Sequence, residues 1–389
     1  MSAQRFIPYG RQQISEEDIA AVVEVLRSDW LTQGPVVERF EQAVAAYCGA
    51  RFAVAVANGT AALHLAALAA GFGPGDEVIT TPITFVASAN CVAYAGGTPV
   101  FADIDSKSYC IDPEQIRKRL TSATRGLIPV HFTGQPCDMQ QIAAIARERD
   151  LKVIEDAAHA IGASYQVDGE TFKVGCCEHS DMTIFSFHPV KHMTTGEGGM
   201  ITTNDPQLYQ KLQLLRTHGI TKDPQALKRN DGPWYYEQQA LGYNYRITDI
   251  QCALGLSQLQ RLDGFVERRR EIVEAYNRAF AGHASLVTPY EAPGSQSSWH
   301  LYMLGVRGVE RKAVFNQLRA VGLGVNVHYI PVHLQPYYME QYGTAQGDCP
   351  EAEAYYVGAI TLPLYPSMTQ EDIDYVTAAV FAAIEQVRT

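Results

Sequence analysis

One lysine in this chain stands in a setting that lysines seldom occupy. Lys191 lies in the run Ser186-Phe187-His188-Pro189-Val190-Lys191-His192-Met193-Thr194-Thr195-Gly196-Glu197-Gly198-Gly199. Met182-Thr183-Ile184-Phe185 before it and Met200-Ile201-Thr202-Thr203 after it read as short buried strands. The glycines between them allow a tight turn, and Pro189 stiffens the backbone just ahead of the amine. A lysine is ordinarily a solvated surface charge. One held among apolar strand ends and small residues gives up its proton readily and attacks carbonyls, forming a Schiff base. Pyridoxal 5'-phosphate (PLP) is the cofactor most often held in this way, with an acidic residue on its ring nitrogen. Asp156, 35 residues earlier in Val153-Ile154-Glu155-Asp156-Ala157-Ala158-His159-Ala160, closes another apparent strand and is the candidate partner. Lys191 and Asp156 are thus the candidate catalytic pair.

Elements that would position this pair can be read on either side of it. Phe52–Val56 reads as a strand, Ala57-Asn58-Gly59-Thr60 as a turn of small residues, and the alanine- and leucine-rich stretch to Ala70 as a helix. Strand, small turn and helix make a phosphate site, because unbonded N–H groups and the helix dipole converge there; Gly59 and Thr60 are its candidates. Glu77–Thr80 is the next strand, and Phe85 after it opens a helix, either filling core or offering a flat face to a cofactor ring. The alternation continues through Pro99–Phe101, a helix over Pro113–Leu120, Gly126–Val130 and a helix over Met139–Arg149. It predicts an α/β fold: a mainly parallel sheet with helices on both faces and ligands at the strand C-termini. Gly59, Phe85, Asp156 and Ser186 each follow a predicted strand. Ser15 and Asp18 resemble a helix cap, and Thr221–Gln239 reads as a polar stretch.

After about residue 250 the pattern changes. Residues 1–250 are expected to form a large PLP-binding domain, and residues 251–389 a small α+β domain joined to it by a long helix running towards Ala281. Within the latter, strands are expected at His300–Leu304 and Val325–His328, and helices at Arg311–Val321 and Gln370–Gln386. His328-Tyr329-Ile330-Pro331-Val332-His333 is dense enough in polar aromatic groups to suggest a pocket wall.

The net charge of −11 argues against non-specific nucleic-acid binding. No apolar run is long enough for a membrane helix, and the first residues lack the apolar core of a signal peptide, so a cytoplasmic protein is expected. The eight cysteines form no CxxC pair. Cys176-Cys177 with His179 is poorly spaced for zinc, and no metal is expected.

The segments "EDAAHA" and "SFHPVKHMTTGEGG" resemble those of the DegT-type, fold-type-I PLP-dependent sugar nucleotide aminotransferases. "LTQGP", "TTPITFVASAN" and "GLSQL" bring the chain nearest to the UDP-4-keto-6-deoxy-sugar 4-aminotransferases of pseudaminic acid biosynthesis, and the resemblance runs from about Tyr9 to the C-terminus. It implies transamination from an amino acid, L-glutamate, to the 4-keto group of a UDP-linked 2-acetamido-2,6-dideoxy-hexos-4-ulose. Pyridoxamine 5'-phosphate would carry the amino group between the two halves. It further implies that Gly59, Thr60 and Ser186 hold the phosphate, Phe85 stacks on the ring, and His159 lies beside it. Asn244, in "GYNYRITDIQ", would reach the cofactor of a partner subunit, which requires a homodimer with shared active sites. Tyr9, Leu31, Thr32, His328 and Tyr329 are the implied substrate contacts; Arg246 is a candidate donor to an anion or the partner of an acid in the interface, and His188, flanking the lysine, is a candidate for the sugar pocket. Amination at another ring carbon, of a dTDP- or GDP-sugar, or of a cyclitol ketone is the main alternative. Sugar 3-dehydratases of this fold carry histidine at the lysine position, and a non-catalytic regulatory relative would lack the lysine or the aspartate; this chain has both.

Overall fold

The computed structural model describes residues 5–388. Apolar runs bounded by turns become the strands of one seven-stranded sheet. In chain order these are β1 (Phe52–Val56), β2 (Glu77–Thr80), β3 (Thr98–Phe101), β4 (Thr124–Ile128), β5 (Lys152–Asp156), β6 (Met182–Ser186) and β7 (Gly199–Thr203). They lie side by side as β1-β7-β6-β5-β4-β2-β3. All run the same way except β7, which is antiparallel to both β1 and β6. The sheet is therefore mainly parallel, with one reversed strand where the lysine-bearing loop folds the chain straight back beside β6.

Register carries the site. Ser186 pairs with Gly199 and Gly199 with Val56, while Asp156 pairs with Ile184. The ends of β1, β6 and β5 are thereby aligned at one edge of the sheet. Four helices matter most for what sits there: α1 (Glu16–Leu26), α2 (Pro35–Cys48), α3 (Gly59–Ala70) and α4 (Ala87–Tyr94). Helix α3 is buried on almost every side, which its alanine and leucine content permits, and it packs with Val54, Ile154, Ile184 and Ile201 of the sheet. On the opposite face Phe40 of α2 meets Phe187, ring centroids 5.4 Å apart. Both side chains are fully buried, each contributing roughly 2–3 kcal/mol relative to exposure.

A second apolar cluster joins helix Leu262–Phe280, helix Arg311–Ala320, helix Gln370–Arg388 and a three-stranded sheet whose central strand is Tyr302–Val306. Ile7–Pro8 pairs in parallel with Leu323–Gly324, which anchors this segment on this part of the molecule.

Four expectations need correction. The long helix after Asp249 is two helices, Asp249–Leu259 and Leu262–Phe280, broken where Arg261 turns to reach Asp18. Val325–His328 is not a strand: Asn326 Oδ1 takes the Val327 N–H locally, and only Asn326 bridges to Thr361. The strand expected at His300–Leu304 starts at Tyr302, because the His300 N–H bonds Thr133 O at 2.7 Å instead of joining a ladder. Phe85 does not open a helix but lies in the turn before α4. A hairpin, Ser164–Val167 with Glu170–Lys173, was not anticipated. No helix among the described residues is long and apolar enough to cross a membrane.

Candidate active site

The cradle at the end of β1 is set by one asparagine. Asn58 caps α3 by accepting the Ala61 N–H at 2.8 Å. The Gly59 and Thr60 N–H groups, first in the helix, donate no hydrogen bond to the described residues and are free to donate to an anion. A Cβ on Gly59 would lie 3.0 Å from Ser186 Cβ and 3.3 Å from its hydroxyl, so only glycine leaves room between them. Among the described residues the Ser186 hydroxyl receives only a long 3.5 Å contact from the His188 N–H. Two amides and a hydroxyl thus converge on one small space.

Asp156 ends β5 and is almost fully buried. Its Oδ2 accepts the Ser88 hydroxyl at 2.6 Å and its Oδ1 the Ala158 N–H at 3.1 Å. Burial raises its pKa, and those two donors together with the Lys191 charge pull the other way. Lys191, half-buried on the loop after β6, is lowered from 10.5 to about 8 by burial, with Asp156 opposing the shift. Each group feels the other's charge, as a lysine and a carboxylate flanking one ligand should.

Around the amine stand buried imidazoles. His159 and His300 have ring centroids 4.4 Å apart, and His300 and His192 5.5 Å apart. Burial, then the Lys191 charge, holds His159 and His300 well below the usual histidine range, so both are neutral. His192 is neutral for the same first cause and anchors on Ser298 O at 2.9 Å. Tyr329 Oη lies 3.2 Å from His159 Nε2. Burial pushes the Tyr329 phenol up, so it keeps its proton and can donate it to His159. His159 Nδ1 is then an N–H donor, buried and without a protein partner.

These residues fit PLP. Gly59, Thr60 and Ser186 suit its phosphate, Asp156 its ring nitrogen, Lys191 its carbonyl carbon, and the orphaned His159 Nδ1 its ring oxygen. Phe85, 58% exposed, offers an uncovered aromatic face, its ring 6.3 Å from that of Tyr329.

The implied substrate residues fall into two groups. Tyr9 lies 5.3 Å from the His328 ring, and Tyr329 packs on Phe132 and His159. His328 has both ring nitrogens engaged, with Thr361 Oγ1 at 2.7 Å and Asn326 Nδ2 at 3.4 Å, so it offers a wall rather than a donor. The other group is separate: Thr32 bridges Thr248, and Leu31 O accepts the Asp249 N–H, which puts Leu31 and Thr32 beside Arg246. Arg246 forms no ion pair among the described residues, and the exposed Asn244 side chain has no partner there. His188 is exposed, without a side-chain hydrogen bond. His333 lies outside this cluster, paired with Glu353 at 3.0 Å.

Sequence reading missed Ser88 and His300. Ser88 sits inside the quoted "TTPITFVASAN" run, but only the fold brings it to Asp156. His300 gives no local signal at all, since its place depends on Thr133 and Arg269 gripping its backbone.

Comparison with known proteins places the chain. The DegT/DnrJ/EryC1/StrS aminotransferase family matches residues 12–381. The spore coat polysaccharide biosynthesis protein SpsC of Bacillus subtilis is 45% identical over 380 residues, 96% of each chain. Among solved structures, Helicobacter pylori PseC, an aminotransferase involved in the biosynthesis of pseudoaminic acid, shares 31% identity. It superimposes with a TM-score of 0.90, covering 98% of this chain and 100% of that one. Spr1654 from Streptococcus pneumoniae, solved in a PMP form, gives 32% identity and a TM-score of 0.90, again over 98% of this chain and 100% of its own; a PLP form of it is also known.

Proposed function

The chain belongs to the DegT/DnrJ/EryC1/StrS aminotransferase family, and from that premise we propose that it aminates the 4-keto group of a UDP-linked 2-acetamido-2,6-dideoxy-hexos-4-ulose, with L-glutamate as donor. It is a PLP-dependent sugar aminotransferase; the sugar, the nucleotide and the donor are the proposed part. The product is a 4-amino sugar nucleotide destined for a surface glycan. Likeness to PseC supports a pseudaminic acid-type product, and the higher identity to SpsC supports a polysaccharide more broadly.

Bound PLP supplies a carbonyl that carries the amino group and a ring that withdraws electrons from the donor's α-carbon. Lys191 Nζ, lowered to about 8 by burial, would take the α-proton of the amino-acid donor and deliver it to the cofactor's former carbonyl carbon. Asp156 holds a proton at the ring nitrogen. Gly59, Thr60 and Ser186 hold the phosphate, while Phe85 and His159 fix the ring. Tyr9, Tyr329 and the His328 wall line the sugar side, and His188 reaches in from the lysine loop. Leu31, Thr32, Arg246 and Asn244 complete the site of a partner subunit in a homodimer. The Arg246 and Asn244 side chains, unpartnered among the described residues, with Trp234 and Leu241 more than 70% exposed nearby in sequence, support a second copy seated there.

The observation carrying this reading is Lys191, an amine lowered to about 8 within the field of Asp156, on the loop that follows Ser186, which itself meets Gly59 at the start of α3. The test is an assay with L-glutamate and a panel of keto-sugar nucleotides, the new amine located by NMR. Amination at C4 of the UDP-sugar is expected. Amination only at C3, or only of dTDP- or GDP-sugars, would overturn the finer assignment, and no amination of any keto-sugar would overturn the whole.

A further inference from the structure

Asp156 is gripped by a short hydrogen-bond chain whose direction the chemistry fixes. An ionised carboxylate only accepts, so the single Ser88 proton goes to Asp156 Oδ2 at 2.6 Å. The Ser88 oxygen then accepts from Thr84, whose Oγ1 lies 2.7 Å away. The 3.3 Å approach of Ser88 to Phe85 O cannot use the same proton. Thr84, Ser88 and Asp156 are all buried, where a donated bond is stronger than in water. Ala158 N–H fixes the other oxygen, so the carboxylate plane cannot rotate. The turn that carries Phe85 therefore also fixes the aim of the Asp156 carboxylate.

We propose that Ser88, oriented by Thr84, is a positioning residue that sets how strongly Asp156 competes for the proton on the cofactor's ring nitrogen. The inference rests on the reading of Asp156 as that nitrogen's partner. A bond donated to the charged carboxylate makes it less basic, so the proton stays on the ring and the ring keeps its full electron demand. Other groups also act on Asp156: Lys191 and His131 stabilise its charge, while Cys91 and Tyr329 lie within its field. Among the side chains of the described residues, only Ser88 is bonded to the carboxylate itself.

The test compares Ser88→Ala, Ser88→Cys, Thr84→Val and Asp156→Asn in the full-length holoprotein. Two readouts are used: PLP affinity by equilibrium dialysis and the pH midpoint of the bound cofactor's visible absorption. Ser88→Ala should weaken PLP about tenfold and move the midpoint upward by about 1 unit. Ser88→Cys, a weaker donor of similar size, should fall between, and Thr84→Val should shift the midpoint in the same direction by less. Circular dichroism of each apoprotein separates a loss of fold from a change in the site. If Asp156→Asn alters both readouts and Ser88→Ala neither, the inference fails while the reading of Asp156 stands. If Asp156→Asn leaves both unchanged, the reading of Asp156 fails and takes the inference with it.

Discussion

Burial does opposite things to the two charges at the centre of the site. It disfavours the ammonium of Lys191 and the carboxylate of Asp156 alike, lowering one pKa and raising the other. The cost to Lys191 is testable in the cofactor-free protein. The folded state holds the lysine proton only up to about pH 8, whereas the unfolded chain holds it to 10.5. Between those values the unfolded state binds more protons, so stability rises with pH; below about 8 the full penalty persists. Lys191→Met should therefore stabilise the apoprotein at pH 7 by about 2 kcal/mol, a figure discounted for the water that still reaches the side chain. Urea denaturation should show the gap closing as pH passes 10; a gap independent of pH would contradict the account. A second residue prediction concerns Tyr329→Phe, which removes the hydroxyl that fixes the His159 tautomer. PLP affinity should fall roughly three- to tenfold. Unchanged affinity would remove His159 Nδ1 from the cofactor's partners. At this scale the sequence was most legible where chemistry is local, as in the Lys191 loop and the Asp156 strand end. Ser88 was opaque because its partner lies 68 residues away.

Among elements, α1 is docked by one buried acid. Asp18 completes a capping box with Ser15 and also accepts from Ser257 and Gln258, each at 2.6 Å, and from Arg261. Asp18→Ala would strand the Arg261 guanidinium, whose side chain is only 29% exposed. A loss of about 3 kcal/mol is expected by urea denaturation; a loss below about 1 kcal/mol would mean the network is dispensable. The capping box could be read from sequence because its two residues are three positions apart, whereas the bond from Arg261 to Asp18 could not. That same bond explains why one expected helix is two. The parallel strands were legible as apolar runs alternating with helices. The direction of β7 was not, because a strand's residues do not encode which way its neighbour runs. Asn326 defeated the strand expected at Val325–His328 by offering its side chain to the next N–H.

For the whole molecule, the proposal makes the site depend on two copies. Trp234 and Leu241 are 72% and 79% exposed, far more than apolar side chains of that size usually are on a lone chain's surface. Trp234→Glu with Leu241→Glu should shift sedimentation from dimer to monomer and weaken PLP retention. Asn244→Ala should keep the dimer while lowering PLP affinity. A monomeric parent protein with full cofactor affinity would remove the shared site. The most direct measurement addresses the claim on which the site is built. Treating the PLP-loaded protein with borohydride and mapping the labelled peptide should find the cofactor fixed on Lys191, and Lys191→Ala protein should take up no covalent label. A label on a different lysine, or undiminished labelling of the Lys191→Ala protein, would contradict it.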